Sequence, residues 1–486
     1  MPHSAIRSIF RVLVMGLSLL QALPLLADDE DDTSGSFVSA LTGGQVKALL
    51  RYNGMYRNSR LHMLQDSSEP IPDEIKTQQY SAIGGYFGYE TGQWHHLSAG
   101  ATVYTSQPIG NNPDDRRGLG GLYENDGGQD GYTALGEFFI RYQNGAHRLT
   151  AGRQELPAYR MVSLSNIRMT PITHKGIAYD NTAIEGLKFS AALVNEMKER
   201  NDTKFIDMAR GARLQVSNNG KQLIRGAYDP ADFDETGYIG DKKSMALVGA
   251  VFSRGNVSLE AWNYYISDFS NSLYLYADYR IEGGPGPFSY TVAAQYTDQR
   301  DVGGHIGGNI DTWHYGLSLR ASNETTAWFV NYNEVTYNED SYDGGTLFVR
   351  WGTPQMFNSF QVQDSELAGT KSWGAGFQYD FGASGHVRGL VMRWRYGYYD
   401  MPDDLQMTDA RQDRAEATFD LRYSFTQDSG MGIFSQTDGL SIQFRAAYNN
   451  YDTSYDFEAY REIHGYDFVS VTEDFVDLRL YLDYTF

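Results

Sequence analysis

Basic residues recur at the polar positions of stretches that alternate in character. In the run from Gly389 to Tyr399, Arg393 and Arg395 share one parity, and Leu390, Met392, Trp394, Tyr396 and Tyr398 share the other. Arg422 falls with Thr418, Asp420 and Ser424, Arg445 with Ser441 and Gln443, and Arg479 with Asp477 and Asp483. Near the start of the chain, Lys47 and Arg51 share a parity with Asn53. Cationic groups fixed along a narrow, low-dielectric passage favour carboxylates and focus the field along their row. Rows of Arg and Lys are how anion pores select. The competing reading is local ion pairing with Asp420, Asp477, Asp483 and Glu416, which lie on the same stretches and would quiet the row.

Catalytic chemistry finds less support. A hydrolase needs a nucleophile, a base and an orienting group within reach of one another, and neither His174 nor His314 matches a convincing serine and carboxylate. His95-His96 sits beside a tight turn, and His305 and His464 fall between strands. No histidine pair has the alternate spacing with an acid that a strand-borne metal site needs. No enzymatic activity, metal, cofactor or nucleic-acid partner is expected.

The elements that carry the basic residues are strands. In the last stretch, Val476, Leu478, Leu480, Leu482, Tyr484 and Phe486 share one parity, and Asp477, Arg479, Tyr481, Asp483 and Thr485 share the other. One apolar and one polar face, ending on a terminal aromatic, fits a strand between lipid and an aqueous lumen. In lipid every backbone group needs a partner, so such a sheet must close on itself. Similar segments are expected at 46–53, 77–90, 95–105, 131–143, 147–154, 174–180, 183–195, 244–254, 256–266, 270–280, 286–298, 309–321, 324–337, 371–381, 386–399, 413–426, 438–450 and 474–486. A further candidate, 344–352, is assigned to a loop, because both chain ends must lie on one side of an even-numbered barrel. The fold class is therefore all-β, an eighteen-stranded antiparallel transmembrane barrel. Turns such as Asn144-Gly145-Ala146 and Asp180-Asn181-Thr182 mark one end. Long connections, roughly 58–76, 106–130, 155–173, 196–243, 299–308, 338–370, 400–412 and 451–473, mark the other. Eighteen strands leave an aqueous channel, which becomes selective only when a loop folds inward.

Composition agrees with this architecture. Gly (51), Tyr (36) and Phe (25) are abundant, Pro is scarce (13), and Cys is absent, which rules out disulfides and thiolate metal sites. Mean hydropathy is −0.47, as expected where only one parity of each strand is apolar. Residues 1–27 read as a cleaved secretory signal, with Arg7 and Arg11 before the apolar run Val12 to Leu20, and Leu25-Leu26-Ala27 before an acidic stretch. Residues 28–486 are then the barrel domain, with strands from about residue 43 onward. Cleavage would remove two arginines and no acid, taking the net charge from −21 to −23. Much of the acid lies between strands, at Asp28 to Asp32, Asp114-Asp115, Glu339 to Asp343 and Asp400 to Asp404. Such loops are expected to be solvated and to offer sites for divalent cations that bridge lipopolysaccharide. Phe486, with Tyr484 and Leu482 behind it, resembles the signal read by the barrel-assembly machinery.

Several ordered motifs resemble the OprD-type substrate-specific outer-membrane porins. They are Ala151-Gly152-Arg153 before a Pro-containing loop; Arg168-Met169-Thr170-Pro171-Ile172-Thr173, then Gly176 and Ile184-Glu185-Gly186-Leu187; and Arg393-Trp394-Arg395. The resemblance implies a Gram-negative outer-membrane location and a pore narrowed by the third and seventh outer loops. It also implies a basic ladder on one wall and diffusion of small carboxylate-bearing solutes such as amino acids, peptides or aromatic acids. Carried onto this chain, the ladder is Lys47, Arg51, Arg393, Arg395, Arg422, Arg445 and Arg479. The constriction loop is 155–173, with Tyr159, Arg160, Ser163, Ser165 and Arg168, and the seventh loop is 338–370. The assembly is expected to be a monomer or a trimer. The fourth outer connection is unusually long and carries Lys198, Arg200, Lys204 and Arg210. The alternative function is a structural or adhesive barrel whose acidic loops bind cations or other cells.

Overall fold

The structure is a computed structural model that describes residues 37–65, 74–110, 122–123, 130–156, 159–212, 242–349, 351–352, 355–402, 413–425, 439–452 and 468–486. A short helix, α1 (Phe37–Thr42), leads into β1 (Gln45–Gln65), β2 (Glu74–Glu90) and β3 (Leu97–Pro108). Next come β4 (Tyr132–Asn144), β5 (His147–Gln154), β6 (Thr173–Ile184), β7 (Leu187–Lys198) and the two-residue β8 (Ile206–Asp207). The middle of the chain forms β9 (Met245–Arg254), β10 (Val257–Ile266), β11 (Ser270–Ile281), β12 (Ser289–Asp301), β13 (Asp311–Ser322) and β14 (Thr326–Val335). The remainder forms β15 (Lys371–Asp380), β16 (Leu390–Asp400), β17 (Arg414–Ser424), β18 (Leu440–Tyr451) and β19 (Phe468–Thr485).

All strands belong to one antiparallel sheet, and β1 pairs with both β2 and β19, so the sheet closes. Among the described residues β8 pairs only with β7, while β7 also pairs directly with β9. Eighteen strands therefore form the ring. Closure gives every strand two neighbours, which satisfies the backbone donors and acceptors that lipid cannot.

The two parities divide as expected. Phe138, Ile140, Leu193, Leu317, Val330, Trp373 and Trp394 are exposed on the outer surface. In water such a band would be an aggregation hazard, whereas lipid is its proper solvent. The opposite parity is polar or packs against loops that fill the lumen. The largest buried apolar cluster lies inside the ring: Tyr159, Met161, Val162 and Ile172 from one loop and Leu347, Phe348 and Trp351 from another, against Trp262, Tyr264 and Ile266 of β10.

Three expectations need correction. The first outer connection is shorter than 58–76, because β1 continues to Gln65 and β2 already begins at Glu74. The last strand likewise starts at Phe468 rather than at 474, which shortens the connection before it. Asp180-Asn181-Thr182 is not the turn between β6 and β7. Ile184 pairs with Leu187, so the turn is Glu185-Gly186, and Gly186 takes the positive φ of 76° that a tight hairpin requires. Asp180 stays in the strand, where it accepts hydrogen bonds from Tyr159 Oη at 2.9 Å and Ser190 Oγ at 2.6 Å. The segment 344–352 overlaps a 3-10 turn at Tyr342–Gly345, and its other described residues are irregular. Residues 1–27, the acidic runs Asp28 to Asp32 and Asp114-Asp115, and most of the fourth outer connection (213–241) lie outside the described residues.

Candidate functional site

The seven basic residues sit on five strands that are neighbours in the ring, β16, β17, β18, β19 and β1. Register puts Arg393 opposite Asp420, Asp420 opposite Arg445, and Arg445 opposite Arg479. One hydrogen-bonded row thus carries Arg393, Asp420, Arg445 and Arg479 in succession. Strands about 4.8 Å apart and tilted about 40° make such a row climb on the order of 3 Å per strand along the pore axis. The row is therefore a diagonal stair on the wall.

Ion pairing divides these cations. Arg51 grips Asp483 through two bonds, Nε to Oδ1 at 2.7 Å and Nη2 to Oδ2 at 2.6 Å. Arg479 lies 2.6 Å from Asp477, which also holds Arg57 at 2.8 Å. Arg445 lies 3.3 Å from Asp420. Lys47 reaches Glu137 at 2.5 Å and Glu155 at 3.3 Å. Among the described residues, Arg393, Arg395 and Arg422 have no carboxylate partner. Arg393 donates to Gln378 Oε1 at 2.9 Å, Arg395 donates to Thr418 Oγ1 at 3.3 Å, and Arg393 and Arg422 are exposed to the lumen. The competing ion-pair reading holds for Asp420, Asp477 and Asp483 but fails for Glu416, whose carboxylate is spent elsewhere.

Two loops cross the lumen. The one between β5 and β6 (155–172) reaches walls far apart in the ring. At one end Tyr159 donates to Asp180 on β6, Tyr264 Oη on β10 donates to the Tyr159 carbonyl at 2.7 Å, and Arg160 pairs with Glu260 on β10 through Nε at 2.7 Å. At the other end Arg51 Nη1 donates to the Asn166 carbonyl and side-chain oxygen, each at 3.1 Å, and to the Arg168 carbonyl. Tyr481 Oη donates to the Ile167 carbonyl at 3.2 Å. The loop is thus bolted to opposite sides of the barrel.

This geometry revises which loop residues face the passage. Tyr159, Ser163 and Ser165 are buried in loop–wall or loop–loop contact and do not line it. The reason is the apolar core inside the lumen, which the loop must build with whatever it carries. Arg160 is tied to Glu260 and lies over the Tyr276 ring at 4.3 Å, on the wall away from the basic strands. Of the five, Arg168 alone stands beside the ladder. Burial, and then the neighbouring Arg479 guanidinium, lower its pKa to about 9, and it remains cationic at neutral pH.

The second crossing loop joins β14 to β15 (336–370). Gln355 Nε2 donates to Ser163 Oγ at 3.4 Å, and Gly352 lies so close to the Ser163 backbone that any Cβ there would collide with it. Beyond that contact the chain settles on the basic wall. Gly374 of β15 and Gly397 of β16 stand opposite each other on the inward face. A side chain at Gly374 would strike Asn358, and one at Gly397 would strike the Phe360 ring. The paired glycines are the recess that admits the loop. Phe360 then lies under Arg395 at 4.8 Å. Gln361 donates to Asp477 Oδ1 at 2.7 Å, and its carbonyl accepts from Arg479 at 3.3 Å. The Glu416 carboxylate takes the backbone N–H groups of Gln361, Val362 and Gln363 at 2.9, 3.2 and 2.7 Å. Because β16 rises from the short-turn end, Arg393 lies on the periplasmic side of this dock, and so does Arg422 on the descending β17.

Sequence reading missed Arg57, Glu137 and Glu155. Arg57 shares the parity of Lys47 and Arg51, a signal hidden by ending the first strand too early. Glu137 and Glu155 meet Lys47 only through pairing of distant strands. Together they form an acidic corner completed by Tyr104, whose hydroxyl donates to Glu155 Oε1 at 2.9 Å. Burial first, and the like charge of Glu137, raise the Glu155 pKa, while Lys47 and the Tyr104 bond oppose the rise.

Known proteins share this architecture. Pseudomonas aeruginosa OccK9 (OpdG) aligns at a TM-score of 0.65 and 17% identity, covering 91% of this chain and 98% of that one. Acinetobacter baumannii OccAB3 aligns at 0.67 and 17%, covering 91% and 99%. Pseudomonas aeruginosa OpdK, solved with vanillate, aligns at 0.61 and 17%, covering 90% and 98%. At these identities the likeness speaks for the fold. A search of curated proteins finds no match. The sequence profile of outer membrane porins of the OprD family matches residues 111–470, and the chain belongs to that family.

Proposed function

We propose that this porin selects small hydrophilic solutes that carry a carboxylate, and that Arg393, Arg395 and Arg422 are the cations that receive it. Family membership makes the protein a substrate-selective diffusion channel in the outer membrane of a Gram-negative bacterium. The observation that carries the finer reading is the division of the wall: three guanidinium groups on β16 and β17 have no carboxylate partner among the described residues, while the other four ladder cations are paired. An unpaired guanidinium offers a bidentate fork to a passing carboxylate, and a paired one has already used it. The vanillate in OpdK is an aromatic carboxylate, which fits the same chemistry.

The solute passes the acidic outer face, squeezes between the loops 155–172 and 336–370 where Arg168 stands, and leaves past Arg393 and Arg422. The outer loops engage lipopolysaccharide through divalent cations. Reversal potentials in a planar bilayer test the selective step. Arg393→Ala combined with Arg395→Ala and Arg422→Ala should lower anion over cation permeability by several-fold. Unaltered selectivity in that triple variant would remove the three arginines from the pathway and leave the channel itself standing.

A further inference from the structure

The helix α1 precedes the first strand and lies at the end of the barrel that holds the short turns. Its sequence, Phe-Val-Ser-Ala-Leu-Thr, has no charged residue. Ala40 is buried against the barrel, while Phe37, Val38 and Leu41 are 55%, 50% and 40% exposed. Phe37 and Leu41 stand about one turn apart with Val38 within about 100° of arc, so these exposed residues form a single apolar face. Six residues do not hold a helix in water unaided.

The attachment of this helix fixes which side of the wall it occupies. On β2 the even positions face the lumen, since Gly88 pairs with inward Lys47 and Gly84 with inward Arg51. Tyr89 therefore points outward, toward lipid. Its hydroxyl bonds the Leu41 carbonyl and accepts the Gly44 N–H at 3.0 Å, capping the end of the helix. Gly92 N–H donates to the Ala40 carbonyl at 2.8 Å, and Phe37 meets the Trp94 ring edge-on at 5.5 Å. Leu97 and Tyr142, paired in register on the outward faces of β3 and β4, are exposed beside the same turn. The helix face is continuous with the lipid-facing band at its periplasmic rim, where Tyr89, Trp94 and Tyr142 supply the aromatic residues usual at the headgroup level.

We propose that α1 is an interfacial anchor that lays Phe37, Val38 and Leu41 into the headgroup–acyl boundary of the periplasmic leaflet. The partner is the phospholipid surface itself, bound through apolar contact, since the helix has no cation for an anionic headgroup. The anchor pins the start of β1, the strand that closes the ring against β19.

The absence of cysteine makes the test direct. Val38→Cys in the full-length protein is labelled with an environment-sensitive fluorophore. The labelled protein is then reconstituted into phosphatidylethanolamine–phosphatidylglycerol vesicles with or without nitroxide on the upper acyl chain. The expected result is blue-shifted emission, loss of most of it to nitroxide lipid, and little quenching by aqueous iodide. Adding Phe37→Glu and Leu41→Glu should abolish lipid quenching while leaving single-channel conductance unchanged. Emission quenched by iodide and indifferent to nitroxide lipid would overturn the proposal, as would quenching only by spin label on a second copy of the protein. If the Val38→Cys protein fails to assemble, Leu41→Cys carries the same label and the same two outcomes.

Discussion

Glu416 is a residue of the wall whose carboxylate is bonded to a loop: it accepts the backbone N–H of Gln363 at 2.7 Å, flanked by the N–H groups of Gln361 and Val362. The side chain is fully buried. A carboxyl group enclosed by three backbone donors acts as a peg, and it holds Phe360 under Arg395 and Gln361 against Asp477. The seating of this loop against the basic strands therefore rests on a buried carboxyl group of the wall.

Removing that peg should loosen the constriction. A typical hydrogen bond contributes about 0.5–1.5 kcal/mol, and Glu416→Ala leaves three donors without their acceptor. The expected outcome is a noisier open channel of higher mean conductance, with the barrel still resistant to unfolding in detergent. Single-channel recording checks it. A current trace with parental noise and amplitude would mean that the paired glycines Gly374 and Gly397 suffice to dock the loop.

The paired cations make a different prediction. Asp420 lies opposite Arg393 in register and holds Arg445 and Gln443, whose Nε2 donates to its two oxygens at 2.9 and 2.8 Å. Asp420→Asn keeps the shape and releases Arg445. Anion permeability should rise relative to cation permeability by roughly the amount that removing one unpaired arginine lowers it, since each substitution changes the wall by one charge. Reversal potentials decide the matter, and a shift toward cations would show that Asp420 does not neutralise the stair.

The parts of this site that could be read from sequence are those fixed by parity. Arg393, Arg395, Arg422, Arg445 and Arg479 alternate with lipid-facing Trp394, Leu421, Phe444 and Leu480, and a period of two leaves each only one side to occupy. The turn at Asn144-Gly145-Ala146 was legible for an equally local reason, because Gly145 takes a φ of 54°. Asp180-Asn181 misled because its turn-like composition serves a contact with Tyr159, a residue of a loop that only tertiary structure brings near. Glu416 was legible as an acid on the arc, but its partners are backbone donors from a segment on the other side of two strands. Backbone donors leave no residue-type signal. The inward burial of Tyr159, Ser163 and Ser165 was hidden likewise, since nothing local separates a loop that lines a pore from one that packs into it.

The acidic corner should make selectivity depend on pH. Burial, with Glu137 adding to it, raises the Glu155 pKa above that of an ordinary glutamate, so this group takes a proton at a higher pH than carboxylates in water do. Each proton gained there removes one negative charge beside Lys47, and anion preference should rise as pH falls into the carboxylate range. The stability linkage has a defined sign too. The folded state holds this proton more tightly than the unfolded chain, so its contribution to stability declines as pH rises from the ordinary glutamate value through the raised one. Glu155→Gln should flatten the upper part of the selectivity profile. Identical profiles in the parent and this variant would assign the titration to other groups.

Salt distinguishes a field effect from a fitted site. Arg393 and Arg422 are open to lumen water, so their attraction for an anion at a distance is screened over about 10 Å at 0.1 M salt and about 3 Å at 1 M. Contact between a guanidinium and a carboxylate survives such screening better, because the two groups exclude the ions that would screen them. Anion over cation permeability measured with chloride should therefore collapse toward unity between these concentrations. A carboxylate that docks on Arg395, whose outer face Phe360 already covers, should keep blocking the chloride current at 1 M with an affinity reduced by less than the selectivity is. The comparison needs one protein and two salt concentrations. Equal losses of selectivity and of block would mean that the arginines steer anions through the passage without binding them, and the stair would then be a funnel with no resting place on it.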